Sequence, residues 1–85
     1  MIIVAKNKLA KAMEIHPIAR GFLLGWYKIV SESTFFTEQD SKSTFSDIDC
    51  NNDQFDFSIP GTRLQICTSI NFDTQVTYIE TIRPA

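Results

Sequence analysis

The stretch FDFSIPGTRLQICTSINF, residues 55–72, decides the fold. Phe55, Phe57 and Ile59 alternate with Asp56 and Ser58, Pro60-Gly61 marks a turn, and Leu64, Ile66, Ile70 and Phe72 then alternate with Gln65, Ser69 and Asn71. A period of two sends successive side chains to opposite faces of a strand, so the segment reads as a hairpin with one apolar face. Downstream, Asp73-Thr74-Gln75 is a second polar turn. The stretch from Val76 to Ile82 is rich in β-branched and aromatic residues and adds a third strand to an antiparallel meander.

Working back towards the start, Ile2-Ile3-Val4 suits a buried strand, and Lys6 to Glu14 is rich in helix-forming Ala, Lys, Leu and Met. His16-Pro17 breaks that helix, because the residue before proline is pushed out of the α region, and Pro17 is placed to begin a second helix. Ile18, Phe22, Trp26, Ile29 and Val30 recur at spacings of three and four and predict the buried stripe of that helix. Gly21 and Gly25 weaken it, which predicts close packing against the first helix. Between Ser31 and Asp53 the chain is polar; Thr37-Glu38-Gln39-Asp40 looks like an N-cap and acidic first turn of a short third helix.

The resulting fold class is α+β: an N-terminal strand and a helical hairpin packed on a three-stranded antiparallel meander. Helices on one side leave the other sheet face open. If Leu64, Ile66 and Ile70 point to the helices, Arg63, Gln65, Cys67, Ser69 and Asn71 point away. On the last strand, Thr77, Ile79 and Thr81 are expected inward, with Tyr78, Glu80 and Ile82 on the open face.

A hydrophobic content of 44% with 21% charged residues argues against disorder. The longest apolar stretches, such as Gly21 to Tyr27, fall far short of the roughly 20 residues that cross a bilayer. The start Met1-Ile2-Ile3-Val4 lacks the charged region and cleavage site of a signal peptide, so the expectation is a cytoplasmic protein without membrane contact. Cys50 and Cys67 have no CxxC spacing and are expected as reduced, partly buried thiols; no metal and no cofactor is expected. The net charge of −2 hides an asymmetry. Residues 1–30 carry five cations against one anion, +4, whereas residues 31–85 carry three against nine, −6. A surface for RNA would be built mainly from the first third.

Lys8-Leu9, His16-Pro17, Trp26-Tyr27, Phe57-Ser58-Ile59-Pro60-Gly61, Ser69-Ile70-Asn71-Phe72 and Val76-Thr77-Tyr78-Ile79 resemble, in order and spacing, the HigB-type toxins of the RelE/ParE superfamily. The resemblance covers nearly the whole chain and implies one RelE-like toxin domain over residues 1–85. It implies a bacterial toxin that cleaves messenger RNA on the ribosome, as a metal-independent endoribonuclease, and an antitoxin protein as partner. Cleavage of that kind needs a base for the 2′-hydroxyl, cations for the phosphorane and an acid for the leaving oxygen. The family supplies basic residues on the open sheet face and a histidine after the last strand.

Carried over by position, the resemblance makes Arg63 the candidate catalytic residue, in place of a lysine. The family's other positions fall on Gln65, Asp73, Glu80 and, for the histidine, Ala85, and its closing segment is missing. Lys6, Lys8, Lys11 and Arg83 are the candidate RNA-binding residues, although three lysines on one amphipathic helix commonly form a solvated face. Carboxylates near a scissile phosphate oppose the developing negative charge. Two functions therefore compete: an mRNA interferase using its remaining cations, and a non-catalytic binding protein on the toxin fold that docks an antitoxin or another partner. A folded core with no present role is a third.

Two further constellations are weaker. His16, at a helix junction, fits a turn better than catalysis, which would need a partner to orient it. Asp47, Asp49, Asn51 and Asp53 match the first positions of an EF-hand loop, but Ser58 stands where the bidentate glutamate belongs, so a solvated acidic loop is expected instead.

Overall fold

The computed structural model describes residues 1–45 and 47–84. The chain runs β1 (Ile2–Val4), α1 (Asn7–Ile15), a 3-10 turn (Pro17–Ala19), α2 (Arg20–Glu32), α3 (Glu38–Thr44), β2 (Ile48–Asn51), β3 (Gln54–Ser58), β4 (Leu64–Asn71) and β5 (Val76–Pro84). The fold is α+β, as the alternation of residues 55–72 requires, with the strands in one mixed sheet of order β1-β5-β4-β3-β2. β1 lies parallel to β5, and the other pairs are antiparallel.

The sheet is larger than the meander read from sequence, because the acidic segment before Gln54 is itself a strand. β2 pairs with β3 from Ile48↔Phe57 to Asn51↔Gln54 through a turn in which Asn52 takes the left-handed conformation, φ 58°. That corrects the expectation of an acidic loop and disposes of the EF-hand geometry with it. Extended backbone puts Asp49 and Asn51 on one face but strings alternate residues out at roughly 6.6 Å intervals, so these donors do not wrap round one ion as a loop would. Among the described residues no group of three or more His, Cys, Asp or Glu could hold a metal.

α3 forms where the capping pattern placed it. The Thr37 side chain accepts from the Asp40 amide at 3.2 Å, and the Asp40 carboxylate accepts from the amides of Phe36 and Thr37 at 2.9 and 3.3 Å.

The helical hairpin forms at His16-Pro17, but α2 buries a different stripe from the one expected. Ala19, Leu23, Trp26 and Val30 are buried, whereas Ile18 and Ile29 are exposed and Phe22 only partly buried. Phe22, Leu23 and Leu24 are all apolar, so two adjacent stripes share Trp26 and Val30, and only the docking on the sheet chooses between them. Trp26 meets Phe57 edge-on at 5.4 Å between ring centroids, and Phe45 meets the same ring at 5.1 Å. Gly21 and Gly25 have nothing within 4 Å of an added Cβ, so neither is required by close packing.

Candidate functional site

The face of the sheet away from α1 and α2 carries alternate residues of each strand. Pairing places Ser58 beside Gln65, Asp56 beside Cys67 and Gln54 beside Ser69; across β4, Gln65 pairs with Arg83, Cys67 with Thr81 and Ser69 with Tyr78. The β4–β5 register slips between Cys67 and Thr68, whose partners are Thr81 and Ile79. Glu80 is thus the extra residue of a β-bulge. One extra residue inverts the parity of the rest of β5. Thr81 lies on the open side and Ile82 packs against the core, the reverse of the sequence expectation, and Arg83 joins the open face.

Around the bulge the face is polar and acidic. The Glu80 carboxylate accepts a hydrogen bond from the side-chain amide of Gln54 and a second from the Ser69 hydroxyl at 3.4 Å. Asp56 Oδ1 is buried with no hydrogen-bond partner. Cys67 is buried between these groups, and its thiol is pushed above the ordinary value by desolvation and by the Asp56 carboxylate, with Arg83 acting in the opposite direction. A thiol so placed stays protonated and is not a nucleophile. Cys50 and Cys67 are both free.

The candidate residues taken from sequence do not gather at one point. Arg83 reaches the open face. Arg63 is exposed in the turn before β4 and lies outside the β4–β5 ladder. Lys8 crosses to β5, where its ammonium donates to the Glu80 carbonyl at 2.6 Å and stands 5.3 Å from the centre of the Tyr78 ring. Lys8 and Lys11 line a groove between α1 and β5 together with His16, Glu80, Thr81 and Ile82. Lys6 turns elsewhere, 5.9 Å from the centre of the Tyr27 ring. His16 is the junction residue expected: it ends α1, its amide donating to the Ala12 carbonyl, and its own carbonyl accepts from Ala19. Of the positions given by the resemblance, Gln65 and Glu80 are on the open face, Asp73 is in the β4–β5 turn, and Ala85 lies outside the described residues.

A protein-family model, the HigB toxin, described as the RelE-like toxic component of a toxin–antitoxin system, matches residues 19–84. The chain belongs to the HigB toxin family. Membership makes it the toxin component of a toxin–antitoxin system and implies an antitoxin as partner. No curated protein matches the chain. Among the described residues no helix is long and apolar enough to cross a membrane.

Two features of this HigB face were not expected from sequence. Gln54 and Asp56 lie on it because the alternation of β3 sets them opposite Phe55 and Phe57, a pattern that marks a face but no chemistry. The approach of Arg83 to Cys67 had no sequence signal, because it depends on the bulge.

Proposed function

We propose that this HigB family member keeps the toxin fold, as one domain over residues 1–85, for docking an antitoxin in the cytoplasm and does not cleave RNA. The observation that carries this reading is the Glu80 carboxylate on the open face, gripped by Gln54 and Ser69. Phosphoryl chemistry without a metal builds negative charge on the phosphate oxygens, and fixed cations lower its cost. Here two carboxylates, Glu80 and Asp56, flank the middle strand, with Arg83 as the cation beside them. A phosphate approaching this face meets repulsion at the place where the chemistry needs donors.

One observation favours the competing reading. The bulge turns Arg83 to the open face, and with Lys8, Lys11 and Arg63 it could engage messenger RNA held by the ribosome. Inducible expression in bacteria, with growth and transcript integrity followed together, decides between them. Normal growth with intact transcripts, from soluble folded protein, is expected. Arrest with fragmented transcripts would establish an mRNA interferase and overturn the proposal.

A further inference from the structure

We infer that the cleft between Phe36 and Tyr78 receives an arginine side chain from a basic segment of a partner protein. The inference deepens the proposed function by naming the partner's chemistry, and it rests on the docking half of that reading. The cleft encloses about 610 Å³ at the β4–β5 turn end of the open face. Ser69 and Asn71 of β4 and Tyr78 of β5 line it, with Phe36 from the segment before α3 and the turn residues Asp53 and Asp73.

Phe36 is 71% exposed, yet its backbone is held in place, since its amide donates to Asp40 in the capping arrangement of α3. An exposed aromatic ring on a fixed backbone, lining a cleft with a second exposed ring, gains by covering its surface. The rings and the two carboxylates together select a cation. A guanidinium stacks on aromatic faces and donates to carboxylates in a planar fork, which an ammonium cannot do. Among the described residues no cation lines the cleft. Lys8 reaches the Tyr78 ring from the groove beside α1, 5.3 Å from its centre, which leaves the Phe36 ring and the two turn carboxylates to an incoming guanidinium, and the only ion pair among the described residues is Lys42 with Glu38.

The surface continues beyond one side chain. Ile2 and Val4 of β1 pair with Val76 and Tyr78 of β5, and both are exposed, at 64% and 40%. An apolar strip beside an acidic aromatic cleft fits a peptide that mixes basic and apolar residues. The charge of residues 31–85, −6, favours approach of a basic segment and disfavours nucleic acid.

The test is a titration of the isotope-labelled full chain with a short peptide of alternating arginine and leucine, followed by amide NMR shifts, beside a control peptide of alternating glutamate and leucine. Shifts centred on Phe36, Asn71, Asp73 and Tyr78 are expected. Phe36→Ala should bind about tenfold more weakly while leaving the net charge unchanged. Asp53→Asn combined with Asp73→Asn should bind more weakly again, each variant keeping the dispersed spectrum of a folded protein. Equal affinity for Phe36→Ala, shifts confined to another surface, or equal binding of the glutamate–leucine peptide would overturn the inference. Fragmented transcripts in the expression experiment would instead remove the non-catalytic reading and leave the peptide result standing, so the two failures are distinguishable.

Discussion

Gln54 of β3 donates its side-chain amide to the carboxylate of Glu80 on β5, spanning the intervening strand β4. The contact exists because Glu80 is the bulged residue, set out of the β4–β5 ladder between Thr81 and Ile79. A hydrogen bond to a charged acceptor contributes about 1.5–3 kcal/mol when protected from water, and less at an exposed site such as this. Its larger effect is orientation, because it fixes an anion in the middle of the open sheet face.

Glu80→Gln removes that charge while keeping a polar side chain of the same length. Binding of a short single-stranded RNA at low salt is expected to tighten by about threefold to tenfold, with the gain disappearing as salt rises. Unchanged affinity would mean that RNA does not approach this face.

Trp26→Ala is expected to destabilise the chain by about 3–5 kcal/mol in urea denaturation, because the residue is 1% exposed against Phe57. Trp26→Phe should be milder, since the indole N–H is buried without a partner and its loss leaves nothing unsatisfied. Ile18→Ala, at 80% exposure, should change stability by less than about 0.5 kcal/mol. A large effect at Ile18 would restore the stripe first read from sequence.

Thr37→Ala removes the acceptor for the Asp40 amide and should cost about 1 kcal/mol, measured by the same denaturation. Because Asp40 also orders Phe36, the variant should broaden the Phe36 amide signal. A sharp, unshifted signal would separate the cap from the cleft.

Burial, together with the nearby Glu38 carboxylate, raises Cys50 from 9.0 to about 11. The folded state then holds its proton more tightly than the unfolded chain. This contribution to stability is fully present below pH 9.0 and is lost as the pH rises towards about 11. Alkylation of Cys50 near neutral pH should run about a hundredfold slower than for an unshifted thiol. A rate equal to that of a free cysteine would place Cys50 in solvent.

Lys8→Met keeps the aliphatic stem of Lys8 but removes the ammonium bonded to the Glu80 carbonyl, and a loss of about 1–2 kcal/mol is expected. Lys11→Met, with no such bond among the described residues, should be near neutral. The reverse order would make Lys8 a surface charge like Lys11.

The sequence by itself determined the local chemistry of this protein. The alternation of residues 55–72, the break at His16-Pro17 and the cap at Thr37 each depend on neighbours a few positions apart, and all three recur in the structure. The opening of one sheet face came from the same alternation. Tertiary structure decided what depends on partners distant along the chain. Which stripe of α2 is buried was settled by the surface it meets, because two stripes of that helix are equally apolar. Residues 48–51 became a strand because the free edge of β3 offered their backbone N–H and C=O groups partners that a polar loop would have sought in water. The bulge at Glu80 belongs to the pairing of two strands, and no residue of β5 announces it. That single slip sends Arg83 to the open face and Ile82 inward, so the composition of the candidate site became legible only once β4 and β5 were in register.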